Sequence, residues 1–503
     1  MDRIPTRVYS FISSFERGAD MYKTKKSLLR GVGKAVSFLL IFLLLFQCAS
    51  NIFRTKRFAF SVAPIYNLPR NSVDVIFLGS SHMNTVISPM DLWKDYGITS
   101  FNAAIGDQTI PASYFELREL LKIQRPQVVV LEVYHIFQPE MMTSNGEERL
   151  HWLVDNVPMS GGVSEAIQTL ISEDSDKTEY YLNFYSFHNR WKALKAEDFL
   201  PVENDNMVAD MSLYGTWSER ETPIVIPRET IKEPPELPVE YLHKIIDLCR
   251  ENGIQLILMA SPCFTGEDLQ SQLNFVGQLA EREKVPFLNF FYLLEDTGFD
   301  FSQDMAESSH MNYGGVQKIT AFVGRYLREN YHLEDYRNFP ETASLWDTAY
   351  QRYSRVLCNA LLKRAVSMKD YFAQLEGQDY VLALYAYSGT PLTETKLSEL
   401  LETYGAGPQL SDDENYYCAL IRQGTVVSEA SASERINRDI MLEDVQFSFG
   451  DGINGSQNPI AIHVGRTEYA KGKQGLNLVV YDPMTRTVAD SINVQFDSMT
   501  LVR

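Results

Sequence analysis

Five apolar, largely β-branched runs, most of them followed by a stretch with helical periodicity, constrain this chain more than any other feature. They are Val73–Leu78, Ser100–Ile105, Gln127–Val133, Ile254–Ala260 and Val285–Phe290. A strand with one wet face alternates apolar and polar residues, whereas a strand that is apolar throughout must be covered on both faces. Helical patterns at Pro89–Tyr96, Ala112–Gln124, Val239–Asn252 and Gly314–Glu329 supply the cover. The alternation predicts an α/β fold, a three-layer α/β/α domain on a parallel sheet of about five strands. Reactive groups in such sheets collect at the carboxyl ends of strands, and Ser81, Gly106, His135 and Cys263 all fall there.

The first run ends in Gly79-Ser80-Ser81-His82. A strand that turns through Gly-X-Ser into a helix lifts the serine oxygen to a helix N-terminus, where backbone N–H groups favour negative charge. Far downstream, Glu307-Ser308-Ser309-His310 precedes the last helical pattern. An acid three residues before a histidine can orient the imidazole that takes a serine proton. The expected catalytic set is Ser81 as nucleophile, His310 as base and Glu307 as orienting acid, with Asp304 as the substitute acid. Ser81 and His310 are expected within hydrogen-bond reach, about 2.6–3.2 Å or looser without substrate. Cys263, in Ser261-Pro262-Cys263-Phe264, is a second nucleophile candidate, but no acid–base partner accompanies it and a buried thiol is the better reading.

The five cysteines are scattered and no CxxC occurs, so neither a zinc site nor a disulfide scaffold is indicated. No metal and no cofactor is expected. A net charge of −19 without a long basic patch beyond the N-terminus argues against nucleic-acid binding. At 503 residues the chain is too long for one core.

Residues 1–34 form a basic tail with eight cationic and three acidic side chains. The stretch Ala35–Phe53 carries no charge and, at about 1.5 Å per residue, spans the hydrocarbon core of a bilayer. A cleavable signal peptide is the alternative, with Cys48-Ala49-Ser50 as its small residues; the long tail and long apolar core favour an uncleaved anchor. The positive-inside rule then leaves the tail in the cytoplasm and the rest outside, a single-pass cell-membrane topology.

Residues of about 140–236 interrupt the strand–helix alternation and read as an inserted cap. Its aromatic stretch from Tyr180 to Trp191 puts His188, Arg190 and Trp191 together, which suits either a sugar-facing lid or the ordinary packing of a helical insert. A helical linker covers 336–375. The remainder, 376–503, changes rhythm: strand patterns at Asp379–Tyr387, Tyr416–Arg422, Gln446–Gly450, Pro459–Val464, Gly475–Tyr481 and Ser491–Phe496, with one helix over Thr393–Tyr404 ended by Gly405. This is a mixed, β-rich module.

Over residues 70–335 the motifs resemble the SGNH (GDSL-type) hydrolase superfamily, and within it the membrane-anchored branch of alginate O-acetylation and teichoic-acid D-alanylation proteins. Gly79-Ser80-Ser81 matches the first block, with Ser80 where many members have Asp. Asn102-Ala103-Ala104-Ile105-Gly106 matches the second, and His310-Met311-Asn312-Tyr313-Gly314-Gly315 the histidine block. The resemblance implies an oxyanion hole from the N–H groups of Ser81 and Gly106. The family's third block adds an Asn, but here Tyr134-His135 follows the strand. His135 is the nearest replacement donor; a structural histidine, or a hole of backbone donors only, are the other readings. The 376–503 module resembles the interleukin-like EMT inducer (PANDER) domain through Gly465-Arg466, Lys471–Val480 and Phe496-Asp497-Ser498, with its halves in permuted order; a glycan-binding role is implied.

The expected function is that of a membrane-anchored, extracytoplasmic serine acyltransferase or carbohydrate esterase that moves an O-acetyl or similar acyl group on cell-surface polysaccharide. A polytopic membrane acyl exporter is the partner the resemblance implies. The alternative is a non-catalytic glycan-binding surface protein on the same fold.

Overall fold

The computed structural model describes residues 30–50, 52–53, 62–155, 157–182, 187–194, 196–199, 223–402, 410–450 and 458–503. Most of the basic tail, residues 183–186 of the aromatic stretch, residues 200–222 of the insert and Gly405 lie outside these.

Arg30–Ser50 is one helix, long and apolar enough to cross a membrane, exposed except at Phe46, Ala49 and Ser50. The strands that follow are β1 (Val75–Leu78), β2 (Ser100–Asn102), β3 (Val128–Glu132), β4 (Gln255–Ala260) and β5 (Phe287–Asn289). They pair in parallel in the order β2-β1-β3-β4-β5. Successive side chains on a strand point to opposite faces. Val75 and Phe77 of β1 therefore enter one core with Val316, Ile319 and Val323 of the helix Tyr313–Asn330. Ile76 and Leu78 enter the other, with Leu242 and Ile245 of Glu236–Glu251 and Val276 of Glu267–Glu283. This is the expected three-layer α/β/α arrangement.

Two stretches outside the sheet take part in the packing of its domain. The helices Gly146–Val154 and Gly161–Leu170 send Leu150, Leu153, Val163 and Ile167 into the main core, so this part of the insert is integral to the domain and not a lid. The stretch expected as a linker contains the helix Pro340–Leu362, which buries Trp346 and Tyr353 in the first domain's core and Leu362 in the next. Tyr353 Oη lies 3.1 Å from both Ser88 Oγ and Asp91 Oδ2, at the start of the helix Pro89–Tyr96.

The C-terminal module is β-rich. Six antiparallel strands run in the order β15 (Leu501–Val502), β14 (Thr487–Val494), β13 (Gly475–Asp482), β6 (Val381–Tyr387), β7 (Tyr416–Arg422) and β8 (Thr425–Ala432). Leu382 and Leu384 face the helices Met368–Leu375 and Leu397–Glu402. Ala383 and Tyr385 face a second sheet, of strands β12 (Thr467–Glu468), β11 (Ile462–Val464), β10 (Val445–Phe449) and β9 (Arg438–Leu442) in that order, through Phe447, Phe449 and Ile462.

Candidate active site

Strand order 2-1-3-4-5 reverses direction between β1 and β3, and the crevice at their carboxyl ends is where open α/β sheets bind ligands. Ser81 follows β1 and Tyr134-His135 follows β3, so both border that crevice.

Ser80 is the N-cap of the turn Ser81–Asn84; its hydroxyl accepts from the His82 N–H at 3.3 Å. Ser81, half-buried, is the first residue of the turn, so its N–H has no partner within the helix. The second block is tied directly to this turn. Ile105 N–H donates to Gly79 O at 3.0 Å, Asn84 Nδ2 to Ala104 O at 3.2 Å, and Asn102 Nδ2 to Met83 O at 3.1 Å. The residues just before Gly106 are thereby fastened to the serine turn. A side chain at Gly106 would lie 2.7 Å from Arg149 Nη1, on the insert helix Gly146–Val154.

The histidine loop is a tight hairpin. Met305 bridges Met311, and Ala306 N–H donates to His310 O at 2.9 Å. Glu307 Oε1 and His310 Nδ1 are in direct contact across it. Asn312 then caps the helix Tyr313–Asn330, its side chain accepting from Gly315 N–H at 3.2 Å. Ser308 O accepts from Phe264 N–H at 2.9 Å, and Ser261 Oγ donates to His82 O at 2.8 Å. The loop after β4 thus clasps the serine turn and the histidine loop together. The His82 and His310 rings are 5.5 Å apart, centre to centre.

His310 Nε2 is buried and has no hydrogen-bond partner among the described residues. The expected hydrogen bond between the Ser81 hydroxyl and His310 is therefore not formed. Hydrogen bonds to a general base tighten when substrate closes the site. Asp304, the substitute acid, does not face the imidazole. Its Oδ2 accepts from Lys318 Nζ at 2.6 Å and from Asp300 N–H at 2.7 Å.

His135 is buried in the turn Tyr134–Phe137 with Nδ1 unpartnered, and burial lowers its pKa to about 4, so the ring is neutral at neutral pH. Cys263 is buried, and desolvation pushes its thiol up, away from nucleophile chemistry. Of the aromatic stretch, Arg190 pairs with Asp198 at 2.8 Å and donates to Phe53 O at 2.7 Å, just past the apolar helix. Trp191 is exposed beneath Lys192, and His188 begins the same short turn. The contacts described for Arg190 and Trp191 are with Asp198, Phe53 and Lys192, and not with the Ser81 turn.

Three groups in the crevice escape the sequence patterns. Glu132, at the end of β3, is buried, and its Oε2 accepts from Ser80 Oγ at 3.0 Å. Its Oε1 accepts from Tyr134 N–H at 2.5 Å. Tyr134 stacks on His82 with ring centres 3.7 Å apart. The signal in the sequence was a single acid closing an otherwise apolar strand.

No protein-family model matches this chain, and no curated protein matches it. Among solved structures it is similar to a GDSL-like lipase from Bacteroides thetaiotaomicron VPI-5482, at 12% identity over 53% of this chain and 94% of that one, with a TM-score of 0.28. It is also similar to the psychrotrophic esterase EstA from Pseudoalteromonas sp., at 12% identity over 51% and 97%, TM-score 0.26. A third is the acetyl xylan esterase Est2A from the rumen bacterium Butyrivibrio proteoclasticus, at 12% identity over 52% and 65%, TM-score 0.23.

Proposed function

We propose that this chain is a membrane-anchored, extracytoplasmic serine acyltransferase or esterase of the SGNH type, acting on cell-surface polysaccharide. One observation carries the reading: a histidine with a carboxylate on Nδ1 and a buried, unpartnered Nε2 sits beside the turn that begins with Ser81. In the mechanism, Ser81 Oγ attacks an acyl carbonyl while its proton passes to His310 Nε2. Collapse of the tetrahedral intermediate breaks the ester C–O bond, and the leaving alkoxide takes that proton. A sugar hydroxyl, or water, then gives its proton to His310 and attacks the acyl-enzyme, freeing Ser81. The oxyanion rests on the N–H groups of Ser81 and Gly106, with neutral His135 as a further donor; one such donor is worth about 2.7–4 kcal/mol.

The apolar helix Arg30–Ser50 supports the anchor, with the basic tail in the cytoplasm. Residues 70–335 form the acyl-transfer domain. Residues 376–503 form a glycan-holding, PANDER-like module, and a polytopic acyl exporter supplies the acyl group from the cytoplasm. The test is labelling by a serine-directed fluorophosphonate, expected in wild type and absent in Ser81→Ala. Acetate release compared with transfer to an oligosaccharide then separates esterase from transferase. An unlabelled wild type that is inert towards acetyl esters but retains oligosaccharide would leave the non-catalytic, glycan-binding alternative.

A further inference from the structure

Glu132 is the hub of the crevice. One carboxyl oxygen meets the Ser80 hydroxyl at 3.0 Å, and that hydroxyl in turn accepts the His82 N–H in the first turn after Ser81. The other holds the Tyr134 N–H at 2.5 Å, and the Tyr134 ring lies flat on His82, whose ring neighbours His310. The fit is close: Gly79 has φ +139°, and a Cβ there would stand 2.7 Å from Glu132 Cβ. The serine turn can lean on Glu132 only because residue 79 has no side chain.

Resting on the acyl-transfer reading, we infer that Glu132 is a positioning residue which fixes the Ser81 turn through Ser80 and the His82–His310 face through Tyr134. It touches no reacting atom. Its two contacts lie on opposite sides of the sheet's reversal point, so one side chain sets the separation of nucleophile and base, the quantity to which acyl transfer is most sensitive.

Burial raises the Glu132 carboxyl to about 8, so it is held neutral at neutral pH. The titratable groups that face it are the Cys263 thiol and the Tyr134 phenol, both pushed up by burial. Beyond Tyr134 stands His82, kept neutral by the same cause, and Asp107 is the acid that acts on Tyr134. A protonated Glu132 turns the Ser80 bond round, its Oε2–H donating to Ser80 Oγ, and a glutamine copies that arrangement, its oxygen accepting from the Tyr134 N–H and its NH2 donating to Ser80 Oγ.

The experiment uses the full chain in detergent, comparing wild type, Glu132→Gln and Glu132→Leu. Amide hydrogen exchange over 79–85 and 133–136 reads positioning without any catalysis, and fluorophosphonate labelling of Ser81 from pH 6 to 9.5 reads its consequence. Glu132→Leu is expected to speed exchange in both segments by at least about tenfold and to slow labelling by about 30-fold. Glu132→Gln is expected to restore both to within about threefold at pH 6–7 and to shift the alkaline limb of the labelling profile. Unchanged exchange in Glu132→Leu overturns the inference, whatever the labelling. So does a Glu132→Gln variant that labels as poorly as Glu132→Leu, since the carboxyl would then act chemically. A wild type that is never labelled overturns the acyl-transfer reading instead, and the exchange data still decide the role of Glu132.

Discussion

Glu307 and His310 meet across a hairpin closed by the Met305–Met311 bridge, so the carboxylate and the imidazole are carried by one loop and not by two. The Glu307 side chain is 54% exposed, unlike the buried acid of a protease triad. On the proposed reading, in which Glu307 orients the imidazole, water can take over part of that duty. Glu307→Gln is accordingly expected to lower the labelling rate about tenfold, far less than the roughly 10⁴-fold loss seen when a buried triad acid is changed. A loss beyond a thousandfold would show that the carboxylate is shielded when substrate is bound.

Asp304→Asn addresses the other carboxylate. Because Asp304 is bound to Lys318 and to the Asp300 amide, the substitution should leave the labelling rate within twofold and lower the unfolding temperature. A selective loss of rate at unchanged stability would return Asp304 to the catalytic set.

Gly79→Ala should be among the most damaging small changes in the chain. The residue has a left-handed φ, and its new methyl would collide with a buried side chain on β3. The combined strain and overpacking costs at least about 3 kcal/mol. Denaturant unfolding measures it; a loss under 1 kcal/mol would mean that the β1–β3 crevice is far softer than its packing implies.

Glu116 provides a stability test that does not involve chemistry. It is fully buried, with Oε2 accepting from Gln108 Nε2 at 2.5 Å and Oε1 unpartnered, and burial raises its carboxyl to about 8. The folded state holds a proton that the unfolded chain gives up near 4.5. This contribution is complete below the unfolded value and is lost as pH rises through about 8. His135 acts in the opposite sense but only below its ordinary value of 6.5. Glu116→Gln should therefore raise the unfolding temperature at pH 8.5, with a gain that shrinks towards pH 6.5. An equal gain at both values would refute the linkage.

Asp482→Leu tests the join between the two cores. The buried Asp482 carboxylate faces Asn359 Nδ2 at 2.8 Å and Arg355 Nε at 3.7 Å, and the Arg355 guanidinium lies over the Tyr380 ring. Removing the carboxylate leaves a buried cation without its counter-charge, a cost of about 3–5 kcal/mol. Replacing Arg355 by Met in the same chain should recover most of that cost in a denaturant titration.

The central strands β1, β3 and β4 could be read from the chain because they are almost wholly apolar, whereas the short edge strands β2 and β5 include Ser100, Asn102 and Asn289 and are marked by the apolar runs around them. The helix Glu267–Glu283 could not be read this way. Its buried side includes Gln270, Ser271, Gln272 and Asn274, which dilute the apolar period that marks a helix. Gln270 and Asn274 are buried because their side chains serve the backbone of the segment before them, Ile226 to Thr230. Strands β8 and Arg438–Leu442 escaped for another reason: largely exposed edge and hairpin strands carry charged and polar residues on both sides. At the site, the serine turn and the histidine loop announce themselves by local spacing. Glu132 does not, since its partner Ser80 lies 52 residues back along the chain and its meaning arises only when β1 and β3 pair.

The helix Pro340–Leu362 is planted in one core by Trp346 and Tyr353 and in the other by Leu362. Its 23 residues make a rod of about 34 Å gripped at both ends. The C-terminal sheets thus keep a constant heading relative to the Ser81 crevice. Inserting a single residue at mid-rod would swing the far body through about 100°, so the distance between the two can be retuned only in steps of a whole turn, about 5.4 Å.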